Sequence, residues 1–395
     1  MSRGAALKPI PLHREVFDAE PDVFDATVAP EPPNPFGVVG RVAEWLFGAA
    51  TLTLGLALLT AVPLGQVLVL GYLLEVTGRV ARTGRLRDGF IGVRTAARLG
   101  GGALGAFVLW VPLYVVSGIA ESARIIDPGG AAVRLWEGAL WVMMAVYVLH
   151  VGGALARGGR LRHFLHPLNI PWLGWKLLTG GLYGDCRDRL WATLVRLRLR
   201  SYFSLGVRGY LGAFLWLVVP LALLGSGHRV PALGILGAGL LGIVVLYLPL
   251  LQARFARDNQ LRAYREWWSV RRDFGRAPLA FAFAVWVQLL AASPLYLLKI
   301  EAIPRDLIFL EGFVFLAFMF PARLVLGWAY ARAGKRDEPR HFVFRWLSRL
   351  AVLPVVVAYV GVVFTSQHIG WHGVSSLYEQ HAFLLPVPFT DVDAK

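Results

Sequence analysis

Apolar stretches about one bilayer long alternate with short arginine-rich segments along almost the whole chain. The runs are Trp45–Val62, Leu64–Thr77, Leu99–Ala120, Trp136–Ala156, Gly209–Gly225, Pro231–Gln252, Leu279–Leu298, Leu307–Ala331 and Trp346–Thr365. A helix rises about 1.5 Å per residue, so crossing a hydrocarbon layer of about 30 Å takes about 20 residues. The pattern predicts an all-α polytopic membrane bundle of about nine spans. Only Pro63 separates the first two runs. Together they are too long for one upright helix, and the second is short. A tight helical hairpin fits them, with a re-entrant second segment as the alternative. Residues 1–44 break the pattern: they are polar, acidic in places and rich in proline. Such a segment cannot bury enough apolar area to offset its ordering entropy, which predicts a disordered tail.

Charge supplies a direction. With the N-terminus in the cytoplasm, the cytoplasmic segments collect the clusters Arg79 to Arg98, Arg157 to Arg208, Arg254 to Arg276 and Arg332 to Arg349. The opposite side keeps only Arg124, Arg134, Arg229, Lys299, Arg305 and Lys395 of the 40 basic residues, and Arg323 falls within a span. The positive-inside bias therefore predicts an N-terminus inside and a C-terminus outside.

Composition supports this. The chain has 395 residues, 56% of them hydrophobic and 16% charged, and carries a net charge of +15. A soluble domain is nearer 45–50% apolar and about 25% charged. A basic chain can suggest nucleic acid, but here the charge sits between apolar runs, where topology accounts for it, and no nucleic-acid partner is expected. The first apolar run begins near Trp45, too late for a secretory signal, and should act as an uncleaved first span. The single cysteine, Cys186, allows neither an intrachain disulfide nor a Cys-rich metal site.

Compared with itself at an offset of 175, the chain repeats. Tyr72-Leu73 matches Tyr247-Leu248. Arg79, Ala81, Arg82, Leu86 and Arg87 match Arg254, Ala256, Arg257, Leu261 and Arg262. Gly152, Ala154, Ala156 and Arg157 match Gly327, Ala329, Ala331 and Arg332. Hydrophobic bias could not align the arginines. The expected organisation is a tail (1–44), a four-helix repeat (45–164), a cytoplasmic amphipathic connector (165–208), a second four-helix repeat (209–344), a ninth span (345–369) and an outer C-terminal tail (370–395). An even number of spans per repeat gives the two copies the same orientation. In the connector, Ile170–Tyr183 contains Pro171 and is too short to cross, so it should lie at the interface or dip and return. Arg187 to Arg200 reads as a basic amphipathic helix on the cytoplasmic leaflet.

The most distinctive local pattern is Ala-Arg after a span, at Arg82, Arg157, Arg257 and Arg332. Arginine at a helix C-terminus complements the helix dipole and reaches anionic headgroups. These four either anchor topology or bind a phosphate-bearing lipid or ligand. Ionisable residues inside spans are costly and default to functional candidates. Glu137 and Glu311 occupy corresponding places in the two repeats. They either complement helix N-termini near water or form a proton- or cation-handling pair. Arg323 is either a snorkelling anchor or the partner of a buried carboxylate such as Glu75. His150 reads as a packed polar residue. His368 and His372 have i, i+4 spacing but no third ligand, so no metal is expected. No nucleophile elbow, phosphate-binding loop or dinucleotide fingerprint occurs, and no cofactor is expected.

The stretch Leu70-Gly71-Tyr72-Leu73-Leu74, followed by Arg79, Arg82 and a Gly-rich span, resembles the DUF4013-like family of bacterial multi-pass membrane proteins, which is itself uncharacterised. The second repeat departs from the pattern with Leu246-Tyr247. The resemblance implies an inner-membrane helical protein and transfers no catalytic residue. The expectation is a non-enzymatic protein that binds or moves a small or lipidic solute at the repeat interface. A structural or assembly subunit that recruits partners through its cytoplasmic segments is the alternative, and a membrane-embedded enzyme a further one.

Overall fold

The structure, a computed structural model, describes residues 35–299, 308–370, 373–378, 380 and 382–384. The disordered tail expected over 1–44 lies outside these as far as residue 34, and so does the end of the C-terminal tail beyond 384. The described chain forms thirteen α-helices joined by short turns and 3₁₀ segments, and no strand occurs among the described residues. They are α1 Pro35–Thr60, α2 Pro63–Thr83, α3 Val93–Ile126, α4 Ala131–Ala156, α5 Leu161–Phe164, α6 Asn169–Thr179, α7 Leu182–Leu197, α8 Leu199–Gly225, α9 Pro231–Asp258, α10 Trp267–Arg276, α11 Pro278–Ala292, α12 Ile308–Gly334 and α13 Phe342–Ile369. Among the described residues nine of these elements are long and apolar enough to cross a membrane, and each overlaps one of the nine runs in the sequence.

The Pro63 break is a full hairpin. Val62 is extended, α2 starts immediately after it, and the end of α1 and the start of α2 meet where Gly65 abuts the Leu59 carbonyl. The two helices then diverge. Trp45 stacks edge-on against Phe90, Gly48 of α1 abuts Val93 at the start of α3, and Ala57 and Thr60 flank Gly312 of α12.

Helix α2 is the centre of the molecule. It packs against α8, α12 and α9, which pack in turn on α11 and α13. Its inward residues Val69, Leu70, Leu73, Leu74, Val76 and Val80 are all buried. Two glycines make the α2–α8 crossing possible: a Cβ at Gly71 would meet the Tyr202 carbonyl, and one at Gly206 the Val67 carbonyl. By contrast, α1, α3 and α4 keep most of their apolar side chains on the outside, Trp141 being 76% exposed. α3 and α4 form a hairpin that carries α5, α6 and α7. An apolar exterior of this extent suits lipid rather than water.

At two places related by the offset of 175 the backbone is alike. Gly84 ends α2 and Asn259 ends α9, both left-handed (φ 73° and 52°); Arg85 and Gln260 follow, extended; then come 3₁₀ turns at Leu86–Gly89 and Leu261–Arg265. Packing does not follow the same symmetry. α8 packs broadly on α9, whereas their counterparts α1 and α2 diverge.

Two boundaries shift. α8 begins at Leu199, ten residues before the apolar run, so the connector is shorter than 165–208 and consists of α5, α6 and α7. α6 and α7 are helices with exposed apolar faces, including Trp175, Leu178, Tyr183 and Trp191, as an interfacial position requires. At the C-terminus, part of the stretch 370–395, read as an outer tail, packs on the helices: after the 3₁₀ turn Gly373–Tyr378, Gln380, Ala382, Phe383 and Leu384 are buried against the bundle. Ala382, Phe383 and Leu384 are apolar, and burial removes them from water.

Candidate functional site

Several buried polar side chains, Gln252, Gln288 and Thr77 among them, lie around Arg323. This residue lies about 16 Å from the nearer end of α12, at 1.5 Å per residue, and it is 1% exposed. It is neither of the alternatives read from sequence. It does not reach an interface, and it does not pair with Glu75, which bonds Arg82 instead at 2.9 Å. Arg323 Nη1 donates to Gln252 Oε1 of α9 (3.1 Å), and Nη2 donates to the Ala382 carbonyl (3.0 Å). Nε has no hydrogen-bond partner, and no carboxylate pairs with the guanidinium among the described residues. A guanidinium stays protonated in proteins, so the interior of the bundle carries a net positive charge at this point.

Neutral amides and phenols surround it. Gln288 of α11 donates Nε2 to the same Ala382 carbonyl (3.0 Å), and its Oε1 has no partner. Gln252 donates Nε2 to the Phe383 carbonyl (2.7 Å). Tyr296 and Tyr359, their hydroxyls 3.0 Å apart, both donate to Gln380 Oε1 (2.9 and 3.0 Å). α9, α11 and α12 thus aim donors at the Ala382 and Phe383 carbonyls, and α13 and the 3₁₀ turn Ser293–Lys299 at the adjacent Gln380 side chain. Helix α2 closes the back of the site, with Thr77 Oγ1 donating to the Arg323 carbonyl at 3.2 Å. Tyr264, in the 3₁₀ turn after α9, folds under α8 and donates to the Gly209 carbonyl (3.0 Å), and its burial pushes the phenol above its ordinary range.

The sequence candidates are scattered around this centre. Glu137 is 38% exposed and pairs with Arg124 across the α3–α4 hairpin, whereas Glu311 is 4% exposed on α12. Glu311 stands twelve residues, or about 18 Å, from Arg323 along the helix. The two glutamates therefore occupy unlike surroundings. Three of the four Ala-Arg positions converge: Arg82 donates to the Ala256 and Arg257 carbonyls (3.2 Å each), and the C-terminal ends of α2, α9 and α12 meet there. Arg257 lies over Tyr330 and Arg332 over Trp328. Arg157 stands apart, over Trp172 of α6. Burial, followed by the charges of Arg162, Arg160, Arg157 and Arg189, holds the nearby His163 ring below its ordinary range. His150 reaches the Phe164 carbonyl at 2.9 Å, as a packed polar residue does. His368 stacks on Phe364, and His372 lies outside the described residues.

A search for ionisable residues in spans finds Arg323 but passes over its partners, because glutamine and tyrosine carry no charge. The available signal was two glutamines inside otherwise apolar runs, Gln252 and Gln288. A second crevice is apolar. About 160 Å³ in volume, it lies between α1 and α12 and is lined by Leu52, Leu56, Phe90, Leu316 and Phe320 among others. No family model, curated protein or solved structure matches this chain.

Proposed function

We propose that the chain is a multi-pass inner-membrane protein, N-terminus cytoplasmic, that binds or moves a solute bearing a negatively charged group, with Arg323 as the counter-charge. It is read as non-enzymatic: among the described residues no nucleophile, acid–base pair or metal cluster accompanies the arginine. One observation carries the reading: a guanidinium buried mid-span that no carboxylate pairs with among the described residues. Removing such a charge from water costs several kcal/mol, and one glutamine oxygen and one backbone carbonyl only partly compensate it. The charge sits where α2, from the first group of spans, meets α9 and α12 of the second, which suits a duplicated fold with its site between the copies. The matching turns at Gly84 and Asn259 support that duplication. The arginine clusters set the orientation, and Arg82, Arg157, Arg257 and Arg332 lie at headgroup level, where anionic phospholipid is their partner.

The test is thermal unfolding of the detergent-purified protein with acetate, inorganic phosphate or chloride at constant ionic strength. Acetate or phosphate should raise Tm by about 1–3 °C over chloride, by mass action on a folded-state site. Arg323→Gln should abolish the rise. An equal rise in the variant would place anion binding elsewhere and remove this reading.

A second reading, an assembly subunit, is favoured by the way α3–α7 stand apart from the other helices with a broad apolar exterior. Cross-linking in native membranes separates the two: a discrete adduct through α3 or α4 supports assembly, and monomer throughout does not.

A further inference from the structure

We infer that Gln380, Ala382, Phe383 and Leu384 form an intramolecular occupant of the Arg323 site, and that a carboxylate or phosphate oxyanion binds there by displacing it. This rests on the reading of Arg323 as a solute site. The occupant makes one turn of its own, with the Phe383 and Leu384 N–H groups donating to the Gln380 carbonyl, and is fastened to the bundle by side-chain donors: Tyr296 and Tyr359 hold the Gln380 amide, Gln288 and Arg323 the Ala382 carbonyl, and Gln252 the Phe383 carbonyl. Phe383 adds an edge-on contact with Tyr359.

The fit is incomplete in an informative way. A guanidinium offers its Nε–H and the adjacent Nη2–H as a parallel fork that matches the two oxygens of a carboxylate or phosphate. In Arg323 that fork faces the Ala382 carbonyl, a single oxygen. Nη2 is taken and Nε is left without a partner. Nη1, on the other side, is already satisfied by Gln252. The occupant therefore uses one tooth of the fork, in a place where an unmade hydrogen bond leaves a desolvated donor unsatisfied. An oxyanion would take both teeth, neutralise the charge and accept from the Gln288 amide that the Ala382 carbonyl releases. The backbone carbonyl is thus a weaker surrogate for the ligand, and the segment a strap over the site, joined to α13 through the 3₁₀ turn that Ser376 pins to the Ser366 carbonyl (3.0 Å).

A site closed by its own strap shows an apparent Kd equal to the intrinsic Kd divided by the fraction of molecules in which the strap is unseated. Loosening the strap away from the anion's contacts should therefore tighten binding. Gln380→Ala removes both tyrosine bonds and leaves Arg323, Gln252 and Gln288 intact. The dissociation constants of acetate and inorganic phosphate, read by Tm titration, should fall about fivefold or more in this variant. In a Cys186→Ser background, Leu384→Cys should resist a hydrophilic maleimide until the anion is added and then react. If Gln380→Ala does not fold to a monodisperse species, Phe383→Ala tests the same strap from its apolar side.

Anion binding that Arg323→Gln abolishes, but that strap variants leave unchanged or weaken, with position 384 equally protected throughout, would overturn the strap and leave the site standing. No binding to wild type or to folded strap variants would overturn the site and the strap with it. Two arms identify the source of the oxyanion. Saturation by the free ions in detergent marks a soluble solute. A response confined to nanodiscs containing phosphatidylglycerol, and absent with phosphatidylcholine and with the free ions, marks a lipid headgroup.

Discussion

Gly71 shows how one residue decides a packing arrangement. Its neighbours Leu70, Leu73 and Leu74 are apolar enough to be buried at almost any helix interface, and Tyr72 is tied to the Ile91 carbonyl at 3.0 Å. Gly71, however, lets the α8 backbone approach until the Tyr202 carbonyl occupies the place of a side chain. Gly71→Val should force the helices apart and cost about 2–3 kcal/mol, seen as a lower Tm in detergent. Gly55→Val on α1, where a Cβ meets nothing within 4 Å, should leave Tm unchanged. Equal effects at the two positions would mean that general helix propensity, not the crossing, governs the response. The motif behind the family resemblance is, in this structure, a packing device. Arg323 is the opposite case. The residue stands out in the sequence as a charge in an apolar run, but what it does depends on Gln252, Gln288 and a carbonyl 59 residues further on, which no local pattern connects to it.

Among the elements, the turn after α9 is tied down by charge as well as by apolar packing. Arg254 of α9 donates to Glu266 (2.9 Å), just before α10, and to Asp273 of α10 (2.9 Å). Its side chain is only 14% exposed and that of Asp273 12%. In the sequence this arginine is one of a basic cluster that signals topology. In the structure it is also a clamp. Arg254→Ala should cost about 2–3 kcal/mol by leaving partly buried carboxylates short of a donor. The loss should be local, appearing as faster amide hydrogen exchange in α10 with α2 unaffected. Uniform loss across the bundle would refute the clamp. The corresponding Arg79 after α2 is not tied in this way among the described residues, one reason the two halves differ despite similar turns. The helices themselves are legible from the apolar runs, and the Pro63 break proves a true hairpin. The start of α8 is missed by ten residues because Arg200 and Arg208 interrupt the apolar run while the backbone stays helical.

At the scale of the molecule, the proposed orientation makes the arginine clusters its determinants, and Arg79, Arg82, Arg85 and Arg87 are the first of them. Neutralising all four should send a fraction of the chains in with the first hairpin inverted, as read by reporter fusions at the α2–α3 turn. Normal topology after that change would assign the determinant to later clusters. Fold class and the number and approximate position of the spans followed from the sequence alone, because crossing a bilayer demands about 20 apolar residues and closed backbone hydrogen bonding, both of which are local properties. Which helix is central, which glutamate is buried and where the C-terminal segment goes were decided only by tertiary structure. Burial does not follow hydropathy among the spans: α2 at the centre is less apolar than α1 at the edge, so hydropathy does not pick out the central helix. Nor does it show that a short stretch around Phe383 turns back among the helices. That choice depends on donors from five separate elements meeting at one point, and only the folded chain brings them together.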